Sequence, residues 1–212
     1  MRTEPLDPDV AGARRTRTGR RGPVSAPGSE LWGAQPSPTT RVSRSFAFVD
    51  LCGFTDFVDL YGDDAAVAEL RVLRAGVREA AGAAGVRVDK WLGDGVMLVG
   101  VEPEPLVTAV IELQLHHETR GRLPLRGGIA TGAVILLDGD DYVGRAVNLA
   151  ARLCERAQSD QILAAADDGF ALPPGVHATS ATSFHVKGFV RPVAVVALVP
   201  LRPASAPVAS TE

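Results

Sequence analysis

The sequence predicts an α+β domain: a split βαββαβ core of the ferredoxin-like kind, extended by additional C-terminal strands. Three observations predict it. Apolar runs of strand length (46–49, 96–101) alternate with longer stretches whose apolar residues recur at helical spacing. Glycine-containing turns punctuate the change from one period to the other. A hydrophobic share of 46% over 212 residues supplies one packed core.

Each element can be justified in order. Phe46, Ala47, Phe48 and Val49 form a buried-strand run that ends on the carboxylate of Asp50. Cys52-Gly53-Phe54-Thr55 then turns the chain into a short helix, 55–60, which Tyr61-Gly62-Asp63-Asp64 breaks before capping the next. Val67, Leu70, Leu73, Val77 and Ala80 carry that helix to Gly85. Val86 and Val88 alternate with polar residues toward Lys90, and Gly93-Asp94-Gly95 is a hairpin turn into the strand 96–101. Pro103 and Pro105 open a helix with Leu106, Val110, Leu113 and His117 on one face. Two strands, 125–131 and 133–137, are expected around Gly132, then a helix over 144–157 and a strand over 161–165. Residues 183–187 and 192–199 read as a closing hairpin around Gly188. There is no internal repeat.

Residues 1–43 read as a disordered tail rich in Arg, Pro and Gly, the folded domain as 44–201, and 202–212 as a loose tail. Six arginines against four acids give residues 1–40 a net +2, and the remainder, with 16 basic and 21 acidic residues, carries −5. The cluster Arg14, Arg15, Arg17, Arg20 and Arg21 reads as a solvated arm, and a nucleic-acid role is not expected. Cys52 and Cys154 lie about a hundred residues apart, without ligand spacing or a disulfide framework, which suits a reducing, cytoplasmic setting. No signal peptide or membrane span is expected, since no apolar run approaches bilayer length.

In a ferredoxin-like unit the first strand and the following hairpin lie side by side, so Asp50 can approach Asp94. Two carboxylates brought together are costly unless a cation sits between them. Oxygen ligands without His or Cys point to Mg²⁺ or Mn²⁺. Asn148 and Arg152, at i and i+4, share a helix face. His116 and His117 are adjacent, point to different faces, and form no metal set.

FVDLCGFT, KWLGDG, DYVGRAVNLAARL and FHVKGF, in this order and spacing, resemble the signature segments of a class III nucleotidyl cyclase catalytic domain. The resemblance covers about residues 44–201 and implies the nucleotide cyclase type of fold. It implies two metal ions, Mg²⁺ or Mn²⁺, held by Asp50, Asp94 and the carbonyl of Leu51. Such an ion pair clamps an in-line displacement at phosphorus. The turn of Leu51, Cys52, Gly53, Phe54 and Thr55 would offer N–H groups to phosphates at a helix N-terminus. The resemblance places base recognition on Lys90 and Asp141, a pairing that suits adenine, whereas guanylyl cyclases carry Glu and Cys there. Asn148 would position the ribose, Arg152 would stabilise charge on the α-phosphoryl group, and Lys187 would reach the terminal phosphates.

Simpler structural roles stand beside these: Lys90 as a strand-end surface lysine, Asp141 as a helix-preceding cap, Asn148 and Arg152 as a polar helix face, Lys187 as a hairpin lysine. The implied reaction is ATP to 3′,5′-cyclic AMP and pyrophosphate. In the family the site forms between two head-to-tail domains, and a homodimer is expected because this chain carries both halves of the set. The alternatives are a cyclase-like regulatory module that binds nucleotide without turnover, a guanylyl cyclase, and a diguanylate cyclase, for which no GGDEF-type hairpin is present.

Overall fold

The structure, a computed structural model, describes residues 41–139, 141–169 and 171–201. The basic cluster 14–21, the rest of the N-terminal tail through residue 40 and the tail 202–212 lie outside the described residues.

The core grows from strand β1 (Arg41–Leu51). It is followed by α1 (Phe54–Ala84), the hairpin β2 (Arg87–Leu92) and β3 (Gly95–Gly100), α2 (Pro103–Arg120), β4 (Leu125–Leu137), β5 (Asp141–Val143), α3 (Arg145–Arg156), β6 (Gln161–Ala165), β7 (Val176–Ala178), β8 (Thr182–Phe184) and β9 (Val193–Pro200). The strands form one sheet in the order β2-β3-β1-β4-β6-β9-β7, with β5 on β4 and β8 on β9. β1 lies antiparallel between β3 and β4, as the split unit requires, and β4 pairs with β6 in parallel.

Side-chain alternation along β1 divides the core in two. Ala47, Val49 and Leu51 face α1 and α2, packing with Leu73, Val77, Leu106, Val110 and Leu113. Phe46 faces the other way, with Met97, Val99, Ala130, Leu149 and Leu153 of the α3 layer. Burying a large apolar side chain contributes roughly 1.5–3 kcal/mol, against about 0–1 for a surface ion pair, so these two layers set the frame. The α1 break at Gly62 is present as a kink: its φ of 79° and ψ of 173° interrupt an otherwise continuous helix. Leu106, Val110, Leu113 and His117 are the buried face of α2, as the spacing predicts.

Four expectations need correction. Residues 125–137 form one unbroken strand, because β1 supplies a ladder partner from Leu125 to Ile135, Gly132 simply pairing with Arg44, and β5 pairs with Leu136 and Leu137. Arg41–Ser43, assigned to the tail by sequence, begin β1 and pair with Ile135–Ala133. Asp141 opens a strand, β5, paired to Leu137, and is no helix cap. β7 has no counterpart in the sequence reading. No helix among the described residues is long and apolar enough to cross a membrane.

Candidate active site

Asp50 stands at the end of β1, opposite Gly95 on one side and Arg126 on the other. The β2–β3 turn brings Asp94 alongside, where the Leu51 N–H donates to the Asp94 carbonyl oxygen at 3.3 Å. The two acids thus converge from positions 44 residues apart in the chain. Burial, and then the charge of Asp50, push the Asp94 carboxyl above the ordinary aspartate range. Arg126 answers the Asp50 charge: its Nη2 and Nε donate to Asp50 Oδ2 at 2.6 and 3.1 Å. That hydrogen bond raises the pKa of the guanidinium further. Sequence reasoning missed Arg126, whose place opposite Asp50 is visible only once the β1–β4 register is known.

The following turn owes its shape to Gly53, in the left-handed region at φ 75°, at the head of α1. Two of its expected donors are already engaged: Leu51 on Asp94, and Cys52, whose N–H donates to the Pro124 carbonyl at 2.8 Å. The first bond of α1 runs from Phe57 N–H to Gly53 O at 3.0 Å, so the amides of Phe54 and Thr55 precede the helical ladder. Cys154 lies behind, its thiol pushed up to about 12, chiefly by burial. It is a packing residue rather than a nucleophile.

The loop carrying Pro124 is itself anchored from inside. Glu69 of α1 is 2% exposed, and its Oε1 accepts the N–H groups of Arg122 and Leu123 at 2.9 and 3.2 Å. His117 Nε2 lies 3.1 Å from the same oxygen. Desolvation holds the His117 imidazole below the usual histidine range, against the opposing pull of Glu69. Sequence reasoning put His117 on the buried face but did not find Glu69, which breaks the apolar pattern of α1 only once.

Lys90 and Asp141 meet: Lys90 Nζ donates to Asp141 Oδ1 at 2.6 Å. The Tyr142 N–H donates to the same oxygen at 3.0 Å. Together these bonds, Lys90 first, hold the Asp141 carboxyl below its ordinary range.

A third group lines an open cleft of about 630 Å³: Asn148 and Arg152 from α3, Lys187 and Gly188 from the β8–β9 connection, with Arg145 and Arg191 at its sides. The Arg152 guanidinium is turned back on its own helix, bonded to both Glu155 oxygens at 2.6 Å. The Arg145 guanidinium lies 5.1 Å from the Phe189 ring centre. Neither Asp50 nor Asp94 lines this cleft. A roomier hollow of about 730 Å³ beside the α2 N-terminus is walled by Glu102, Glu104 and prolines and contains none of these groups.

No protein-family model matches the chain. An uncharacterised protein of Mycobacterium tuberculosis is 39% identical over 153 residues, covering 72% of this chain and 40% of that protein. A pH-sensitive adenylate cyclase of the same organism is 35% identical over 132 residues, covering 62% and 32%. The chain therefore spans two fifths or less of the length of these curated relatives. Among solved structures, the adenylyl cyclase CyaB from P. aeruginosa matches with a TM-score of 0.63 and 26% identity, over 77% of this chain and 97% of that one. The guanylyl cyclase Cya2 matches with a TM-score of 0.65 at 22% identity, over 79% and 96%.

Proposed function

Taking the domain as what its fold and relatives make it, a class III adenylyl/guanylyl cyclase catalytic domain, we propose that it converts ATP to 3′,5′-cyclic AMP and pyrophosphate. In this reaction the ribose 3′-oxygen attacks the α-phosphorus. The bond from that phosphorus to the bridging oxygen of pyrophosphate breaks, and the hydroxyl proton passes to solvent.

The observation that carries this reading is the convergence of Asp50 and Asp94 at a strand end. Burial, and after it the charge of Asp50, already raise the Asp94 carboxyl, a cost that a cation between the two acids would relieve. The donor set is oxygen only, which fits Mg²⁺ or Mn²⁺. Among the described residues no cluster of three or more His, Cys, Asp or Glu side chains is set to hold a metal. The remaining ligands would be the Leu51 carbonyl and phosphate oxygens of the substrate. Bound there, divalent ions would acidify the attacking hydroxyl and neutralise the leaving group.

The chain's own residues account for the rest. The α1 N-terminus, with the open amides of Phe54 and Thr55, favours phosphate charge. Arg126, relieved of Asp50 by a cation, would be free to turn to phosphate. Arg152 would leave Glu155 for the α-phosphoryl group, Asn148 would hold the ribose, and Lys187 would meet the terminal phosphates. Lys90 donates and Asp141 accepts, matching adenine N1 and its N6 amino group and opposing the pattern of guanine. Because the cleft of Asn148, Arg152 and Lys187 excludes both carboxylates, the working site would join the carboxylates of one copy to the cleft and base-reading pair of a second.

The test is direct. Purified protein is given ATP and GTP in parallel, with Mg²⁺ or Mn²⁺, and products are separated by chromatography. Cyclic AMP from ATP, abolished by a chelator, is the expected result. No cyclic product under any condition would leave a nucleotide-binding regulatory module, and preference for GTP would make it a guanylyl cyclase.

A further inference from the structure

The Lys90–Asp141 contact needs something to hold it. Both side chains are about half exposed, and an exposed ion pair of this kind is too weak to fix two mobile groups by itself. Asp141 also sits on a weak platform, since β5 is three residues long and pairs only with β4, while Lys90 is on β2 at the far edge of the sheet.

The restraint comes from an irregularity in β2. Arg87 pairs with Val99, Val88 with Leu98, and then Lys90, not Asp89, with Met97. Asp89 is the extra residue of a β-bulge. In a regular strand Arg87 and Lys90, three residues apart, would alternate to opposite faces; the bulge absorbs Asp89, so both point to the face that carries β5. Asp89 is ion-paired to Arg87 through Oδ1, its side chain is 3% exposed, and its buried Oδ2 has no hydrogen-bond partner. The Arg87 guanidinium lies over the Tyr142 ring, 5.5 Å from its centre. Tyr142 is fixed on β1 by an edge-on contact with Phe46, centroids 5.3 Å apart at 69°. Its backbone N–H donates to Asp141 Oδ1.

We propose that Arg87, anchored by Asp89, is a positioning residue for purine selectivity: it clamps Tyr142 and so holds Asp141 against Lys90, without touching the base. The inference rests on the reading of Lys90 and Asp141 as the base-reading pair. It assigns the bulge a purpose: the bulge keeps Lys90 on the face of Arg87, and its extra residue, Asp89, supplies the counter-charge for Arg87.

The experiment measures binding of 3′-deoxy-ATP and 3′-deoxy-GTP, which lack the attacking hydroxyl, by calorimetry with Mn²⁺ and the full chain. The native protein should bind the adenine analogue more tightly. Arg87→Met keeps the length of a half-exposed side chain but removes the cation, so the fold should survive and the melting temperature should hold. The ratio of the two affinities should fall roughly two- to fivefold, through weaker binding of the adenine analogue. Arg87→Lys should retain most of the ratio, and Asp89→Asn should lower it in the same direction. If Arg87→Met leaves the ratio at its native value, or weakens both analogues equally, the positioning role is wrong while the ATP reading stands. A native protein that favours the guanine analogue, or binds neither, overturns both.

Discussion

At the scale of single residues, Asp94 concentrates the conflict between stability and the proposed chemistry. Its carboxyl is held above the ordinary aspartate value of 3.8 by burial and by Asp50. A raised carboxyl favours the folded state while protonated; that contribution is lost as pH rises from 3.8 through the folded value, and above it the ionised group is a constant burden. Asp94→Asn should therefore melt higher than the native protein at pH 7 in a chelator, by roughly 1–3 °C, with the gain shrinking toward pH 4. The same variant should lose cyclisation by at least roughly a hundredfold, by analogy with the loss of other charge-stabilising groups. Arg126→Met should do the opposite to stability: it strips Asp50 of its partner, and the melting temperature should fall without metal and recover on adding Mn²⁺. A variant that melts like the native protein in both conditions would count against Arg126 as the stand-in cation. Asp50 and Asp94 were legible in the sequence because each ends or turns a strand. Arg126 was not, because an arginine between Leu125 and Gly127 carries no pattern of its own. Its meaning is a register, Asp50 opposite Arg126, and register is a property of two strands.

At the scale of elements, the site depends on how closely α3 rides on β4. A side chain added at Gly128 would come within 2.2 Å of the Ala150 carbonyl oxygen and the Cys154 nitrogen, both backbone atoms that cannot step aside. Gly128→Ala should displace the helix that carries Asn148 and Arg152, costing about 1–3 kcal/mol or more by overpacking. A urea midpoint unchanged from native would show that α3 can shift freely. On the other face, Glu69 and His117 tie α1 and α2 to the loop that receives the Cys52 amide. The His117 imidazole is held below 6.5 in the fold, so the unfolded chain binds the extra proton first. Stability should be full above that value and decline as pH falls below it, and His117→Gln should flatten the melting curve across that window. The helices were readable because their apolar faces repeat over many residues. β5 was not, since three residues, Asp141–Val143, are too few for a period and its first member looks like a cap. The apparent break at Gly132 misled for the reverse reason: glycine weakens a strand locally, but the ladder from β1 outvotes local preference.

At the scale of the whole molecule, the proposed groups fall into separate sets within one chain. Asp50 is bonded to Arg126, Lys90 to Asp141, and Arg152 to Glu155, so these three pairs are satisfied within one chain. The cleft with Asn148, Arg152 and Lys187 has no carboxylate of the pair in its lining. A single copy in this arrangement holds both halves of a site without joining them, and a two-fold pair of copies would join them twice. That arrangement has a consequence no single-chain site shares. Asp50→Ala removes only the carboxylate half, and Arg152→Ala only the cleft half, so each homodimer should be close to inactive. Mixed one to one with random exchange, half of the dimers would contain one of each, and each of those would have one site with both halves intact and one with neither. Activity should return to roughly a quarter of the native level per chain, since one site in four is then whole. The mixture should be assayed beside a size measurement that counts mixed dimers through a tag on one variant. Mixed dimers present without recovered cyclic AMP would place the whole site within one chain, and would require α3 to move toward Asp50 instead.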